Sequence, residues 1–254
     1  MIVDRSKWGR LEVTGADRVR FLQGLTTINV ETLADGAHAW GAILNPKGRV
    51  LSVIDLAHQG DRLVIACQQD LAEKTREILE RYAVMDDVQF TEAPGPAHQR
   101  WDVASAWTAP IAPDAVADMV AETDPAAERV RIRAGFLRYG VDVDEDHFPF
   151  ETPLVAFLDY EKGCYVGQEP VFRVHAQGNA ARTMRGLSIA GTEPIAAGAV
   201  VKHPTKANAG HVTSAVVDGD HTIALAYLHR TCWEPGGTVE VDGRTATVHA
   251  LPWA

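Results

Sequence analysis

Cysteine is scarce in this sequence: three among 254 residues, at Cys67, Cys164 and Cys232. They lie far apart, are odd in number and show no CxxC spacing, so neither a disulfide framework nor a zinc site is expected. Long apolar runs are also missing. The N-terminus reads MIVDRSKWGRLEV, which carries charge early and argues against a secretory leader or a membrane span; the expected compartment is the cytoplasm. Basic charge is in deficit, with 24 Lys and Arg against 34 Asp and Glu and a net charge of -10. Such a surface is not expected to bind nucleic acid directly or to sit on an anionic membrane. Internal repeats and low-complexity tracts are absent as well. What is present is an ordinary globular composition, 46% hydrophobic and 23% charged, with ample length to bury a core in one large domain or two smaller ones.

The segment GRLEVTGADRVRFLQGLTT reads as a short strand followed by a helix, with Thr14 and Asp17 spaced as a capping box. Strands separated by turns follow, the turns marked by Asn45-Pro46-Lys47-Gly48 and Gln59-Gly60-Asp61. DLAEKTREILERYAV is the clearest helix: Asp70 is placed to cap it, Glu73 to complete the box, and Leu71, Ile78, Leu79 and Tyr82 form one stripe. Residues 93 to 129 are rich in Ala and Pro and carry no clear periodicity. ERVRIRAGFLRYGVDV reads as a strand and a turn bracketed by Gly135 and Gly140. Beyond Gly178 the texture changes to short β-rich runs, MRGLSIA, AVVKH, GHVTSAVV, TIALAYL, TVEV and TATVHAL, joined by Gly, Pro and Asp turns. That spacing predicts a small antiparallel barrel or sandwich as a separate C-terminal domain.

Chemistry concentrates in EKGCYVGQEP, residues 161 to 170. Gly163 and Gly167 flank Cys164 and permit a tight backbone and close approach of a ligand. Lys162 is near in sequence, and a neighbouring cation would favour the thiolate. A buried structural thiol and a reaction centre both remain open from these residues alone. Glu151, after Phe148-Pro149-Phe150, is a carboxylate suited to pairing with the amino and imino groups of a heterocycle, or a solvated loop glutamate. Arg173 and His175 alternate with Phe172 and Val174 and so read as one strand face. With Arg182 and Arg185 they form a basic cluster that suits a carboxylate- or phosphate-bearing ligand, or ordinary surface arginines. Cys67 and Cys232 read as core or edge residues within strands.

The run Lys162-Gly163-Cys164-Tyr165-Val166-Gly167-Gln168-Glu169 resembles the KGCYxGQE motif of the YgfZ family, folate-binding proteins linked to iron–sulfur enzyme maintenance and tRNA thiomodification. GADRVRFLQGLTT, LNPKGRVL, IRAGFLRYGVDV with FPFE, AGHVTSA and IALAYL are similar to further family segments, so the resemblance covers nearly the whole chain. The wider superfamily includes the T-protein of glycine cleavage, an aminomethyltransferase. The resemblance implies an α+β fold: a T-protein-like ring of two intertwined N-terminal α+β subdomains over residues 1–182, closed by a C-terminal antiparallel β-barrel over 183–254. It implies tetrahydrofolate or a one-carbon derivative as cofactor and no metal. Cys164 is the expected reactive group, and Glu151, Lys162, Gln168, Arg173 and Arg182 are the expected cofactor-binding residues.

The implied function is a YgfZ-type tetrahydrofolate-binding protein that supports iron–sulfur enzyme assembly or repair and tRNA modification, with iron–sulfur proteins or assembly factors as partners. The alternatives are a folate-dependent aminomethyltransferase or demethylase, and a non-catalytic iron–sulfur assembly scaffold. Two departures stand out. Where T-proteins place a catalytic aspartate, this chain has Ser52 and Val53, and Asp55 comes two residues later, a displacement of about 7 Å along a strand. Pro170 stands where an aliphatic residue is expected, so the strand expected after the motif begins only at Val171.

Overall fold

The computed structural model describes residues 1–253 apart from Thr108, Ala115 and Asn179. The first stretch runs β1 (Ile2–Asp4), β2 (Gly9–Thr14), α1 (Arg18–Leu25), β3 (His38–Leu44), β4 (Val50–Gln59), β5 (Arg62–Cys67), α2 (Gln69–Tyr82) and β6 (Gln89–Glu92). The second runs β7 (His98–Arg100), β8 (Ile111–Ala112), β9 (Met119–Val120), α3 (Pro125–Ala134), 3-10 turns at Pro149–Glu151 and Pro153–Phe157, and α4 (Gln168–Gln177). The last comprises β10 (Arg182–Ala190), β11 (Val200–His203), β12 (Lys206–Asp218), β13 (His221–His229), β14 (Thr238–Val241) and β15 (Arg244–His249).

Two sheets share the N-terminal region. One is antiparallel, in the order β3-β4-β5-β2-β6; the other is β8-β7-β1-β9, in which β1 pairs antiparallel with β7 and parallel with β9. The chain therefore starts in the second sheet, builds the first, and returns to finish the second, which intertwines the two units. On one face of the larger sheet Ile43, Ile54, Leu56, Leu63 and Ile65 pack under α1 and α2. On its other face Trp40, Ala42 and Val53 join Trp101, Trp107 and Phe136. Trp40 meets Phe136 edge-on at 5.1 Å and Trp107 edge-on at 5.3 Å, the arrangement that the ring quadrupoles favour.

The six C-terminal strands close into an antiparallel barrel, β10-β13-β12-β11-β14-β15, with β15 pairing back to β10. Alternate residues such as Leu187, Ile189, Ala224, Ala226 and Val248 fill its interior, as the period of two requires. Asp142 fastens the barrel to the rest. Its buried carboxylate accepts hydrogen bonds from the Thr213 and Ser214 hydroxyls of β12 at 2.6 and 2.7 Å, from the Arg138 N–H at 2.9 Å and from the Arg131 guanidinium of α3 at 2.5 Å. Its backbone carbonyl accepts from the Tyr227 hydroxyl at 2.8 Å.

Several local expectations are corrected. Residues 125–134 are helical, not a strand: Asp124 caps the helix through the Ala126 N–H, Pro125 occupies the first turn, and Gly135 ends it in the left-handed region at φ 68°. Those end signals outweigh the short alternation in VRIR. Arg173 and His175 likewise lie on α4 rather than on a strand. Pro170 sits in its first turn, where the missing N–H has no helical partner to lose. The cap of α2 is Gln68, with Asp70 in the first turn. Asp17 is itself at the cap position of α1, and its carboxylate accepts the Asp87 N–H at 2.8 Å instead of closing a box with Thr14. Cys67 ends β5, whereas Cys232 lies in the turn past β13; both are buried.

Candidate functional site

Two groups of the expected residues converge on the β3–β4 hairpin. The first is at the junction with the barrel. Glu151 ends a 3-10 turn and is buried. Its two oxygens accept a fork of bonds from Arg182, at 3.0 Å from Nε and 3.1 Å from Nη2, and Oε2 also accepts the Phe148 N–H at 3.0 Å. A carboxylate offers about four acceptor positions, so one on Oε1 stays open. The paired geometry is the strong, orienting kind. Arg182 opens β10 and its guanidinium lies 5.0 Å over the Tyr227 ring. Tyr227 stacks on His147 at 4.5 Å, and His211 packs against its ring at 5.5 Å. His147 is tied to Asp144 at 2.6 Å. Burial, together with the nearby charge of Arg182, pushes the His211 imidazole below its usual range. Burial also lifts the Tyr227 phenol well above its ordinary value, so it remains a hydrogen-bond donor. Phe148 and Phe150 stack at 4.8 Å, and Arg49 of the hairpin covers Phe148 at 3.7 Å.

The second group is the cysteine loop. Cys164 is exposed. Lys162 is turned inward: its ammonium donates to the carbonyls of Thr26 and Ile28, just past α1, at 2.7 and 2.5 Å. Burial without a contacting carboxylate lowers its pKa to about 8, against the weaker opposing pull of Asp159 and Glu31. The charge expected to activate the thiol is thus committed to holding the loop. Gln168, in the first turn of α4, accepts the Tyr165 N–H at 3.0 Å, and Val166 N–H donates to Gly24. Gly167 adopts φ 80°, and a Cβ there would fall 2.4 Å from the Asn45 carbonyl oxygen. This glycine lets the loop lie against the NPKG turn. Tyr160 stacks on His175 of α4 at 3.7 Å.

The fold brings Glu151 and Arg182 into direct contact and holds Lys162, Cys164 and Gln168 in one loop. Arg173 instead forms an exposed ion pair with Glu169 at 2.6 Å on α4. The hairpin links both groups, through Gly48 against Gly167 and Pro170 and through Val50 N–H to the His147 carbonyl. Asp55, the displaced carboxylate, is buried and bonded to His38 at 2.6 Å. Sequence reasoning missed His147, His211 and Tyr227. They come from a loop and two barrel strands, and no local spacing announces their meeting. Among the described residues no cluster of His, Cys, Asp or Glu is placed to hold a metal, and no helix is long and apolar enough to cross a membrane.

No family model matches the chain. The crystal structure of glycine cleavage system aminomethyltransferase T from Bartonella henselae superposes on 100% of this chain and 86% of its own, with a TM-score of 0.83 at 19% identity. The fold is therefore that of the T-proteins. The tRNA-modifying protein YgfZ of Yersinia pestis (strain Pestoides F) is 24% identical over 87% of this chain and 82% of its own length. The protein of the same name from Hamiltonella defensa subsp. Acyrthosiphon pisum is 38% identical over 83 residues, a third of this chain and a quarter of that protein. The chain is thus similar in sequence to YgfZ proteins over most of its length and shares the T-protein fold.

Proposed function

We propose that the protein binds tetrahydrofolate or a one-carbon derivative and, as a YgfZ-type protein, supports tRNA modification and the iron–sulfur enzymes behind it. The likeness to YgfZ proteins across 87% of the chain carries this reading. The residues at the barrel junction fit the ligand. Glu151 is held in position by Arg182 with one acceptor site open, and the donor edge of a pterin needs such a carboxylate. His147 and Phe148, both partly exposed, supply flat faces. Arg182, partly exposed, keeps capacity for the ligand's own carboxylates. Bound folate supplies the one-carbon chemistry; the chain's residues orient it and exclude water. Cys164 acts from the exposed loop beyond, and its geometry suits contact with a second protein or a sulfur-bearing group.

Calorimetric titration with tetrahydrofolate and 5-formyltetrahydrofolate tests this reading. Micromolar binding that Glu151→Gln weakens at least tenfold is expected, and an intact protein that binds neither folate overturns it. Restoration of tRNA thiomodification in a deficient strain by the wild type and not by Cys164→Ala tests the cellular role. A second reading, aminomethyl transfer, has the fold of its structural neighbour in its favour. It requires tetrahydrofolate turnover with an amine, and the commitment of Asp55 to His38 opposes it.

A further inference from the structure

A cavity of about 290 Å³ lies where the 3-10 turn at Pro153–Phe157 meets β10 and the C-terminal segment. Its walls are mainly apolar, with Trp107, Phe157, Met184 and Leu251 among them. Their volume places it at the lower end of small-molecule sites, which bind apolar bodies and fix them with a few polar groups. One charge lines it, Arg185. The Arg185 guanidinium donates from Nε to the Trp233 carbonyl at 2.8 Å and from Nη1 to the Met184 carbonyl at 3.2 Å. Among the described residues it makes no ion pair, unlike Arg182. Burial pushes its pKa below the usual value, with the more distant Glu234 opposing. The indole N–H of Trp107, whose ring lines the cavity, is itself buried from solvent and has no acceptor among the described residues.

Neither Glu151 nor Arg182 lines this cavity, although their neighbours Thr152 and Thr183 do. Alternate residues of a strand face opposite ways, so Arg185 points away from the side on which Arg182 meets Glu151. The rim is accessible, with Val155 exposed at 45% and Ala156 also exposed.

We propose that this cavity is a binding site for a small apolar carboxylate, whose anionic end pairs with Arg185 and whose hydrocarbon or aryl body rests against Trp107 and Phe157. An undersolvated guanidinium with free N–H groups gains most from a carboxylate, which accepts two of them in parallel. The apolar wall offers nothing to the charged or polar remainder of a sugar or nucleotide. The inference does not depend on the folate reading.

The test is calorimetric titration of the full chain with 3-phenylpropionate and with its neutral amide, 3-phenylpropanamide. Two variants accompany it: Arg185→Met, which removes the charge, and Ala156→Trp, which fills the cavity from its exposed rim. Binding of the acid at least tenfold tighter than the amide, weakened at least tenfold by each variant, is expected. No binding of the acid to the wild type, equal binding of acid and amide, or binding that either variant leaves unchanged overturns the proposal. Displacement of the acid by 5-formyltetrahydrofolate also overturns it, since the cavity would then be part of the folate site.

Discussion

Replacing Asp142 by Ala tests how the barrel is held. The carboxylate is fully buried and accepts from Arg131, Arg138, Thr213 and Ser214. Burial alone would raise its pKa, but Arg131 and the other three donors outweigh that and leave it below the usual carboxylate range. After truncation Arg131 keeps Glu128 and the Phe136 carbonyl, and Thr213 keeps the Leu225 carbonyl at 3.3 Å, yet the buried guanidinium loses a charge partner and the buried Ser214 hydroxyl loses its acceptor. Breaking a buried ion pair on one side costs about 3–5 kcal/mol. That is a large part of the roughly 5–15 kcal/mol that keeps a domain folded. Urea denaturation should therefore show a loss of about 3–5 kcal/mol in Asp142→Ala. Asp142→Asn keeps the shape and part of the acceptor capacity and should lose less. The pH dependence has a definite sign. A carboxylate whose folded pKa is depressed contributes stability that is fully present above its unfolded value, about 3.9, and lost as pH falls through the folded value. The gap between wild type and Asp142→Asn should therefore narrow below about pH 4. A loss under about 1 kcal/mol for Asp142→Ala at unchanged denaturant slope would refute the reasoning.

Lys162 gives the same sign in a higher pH window, although here burial disfavours the charged form. Its folded pKa of about 8 lies below the unfolded value, so the unfolded chain binds more protons between the two. The stability of the wild type relative to Lys162→Met should rise from pH 8 towards pH 10, by at most about 1.4 kcal/mol per pH unit, and denaturation at pH 7 and pH 9.5 reads it. The native chain should take up one equivalent of iodoacetamide rapidly, at Cys164, while Cys67, its thiol pushed up to about 11 by burial against the weaker pull of Thr75, and Cys232 label only on unfolding; mass spectrometry of Cys164→Ser, which should stay unmodified, checks this. Gly167→Ala forces a left-handed residue and a Cβ into the Asn45 carbonyl, which should cost at least about 1–2 kcal/mol in the same denaturation assay.

The barrel was legible because its sequence runs are short, β-rich and punctuated by turns; the six runs after Gly178 correspond to the six strands β10 to β15. α2 was legible from its stripe. α3 and α4 were misread because VRIR and FRVH alternate over four residues, too few to separate a period of two from one of 3.6. Gly135 and Gly178, both left-handed helix ends, carried the better signal. At the site, Glu151 and Arg182 were each readable as ligand-facing. Their mutual pairing was not, because it depends on β10 crossing back over the 3-10 turn. Lys162 was readable as a nearby cation, but the direction of its side chain is set by two backbone carbonyls 134 and 136 residues earlier.

The placement of β1 has a consequence for synthesis. Ile2 to Asp4 form an interior strand whose neighbours, β7 and β9, arrive about a hundred residues later. As the chain leaves the ribosome, β1 must wait with one edge unpaired until residue 100 has emerged and the other until residue 120. Pairings so distant in sequence slow folding and leave strand edges open to wrong partners. The larger sheet, whose strands are all made in between, is free to assemble during that interval and serve as the surface on which the second sheet closes.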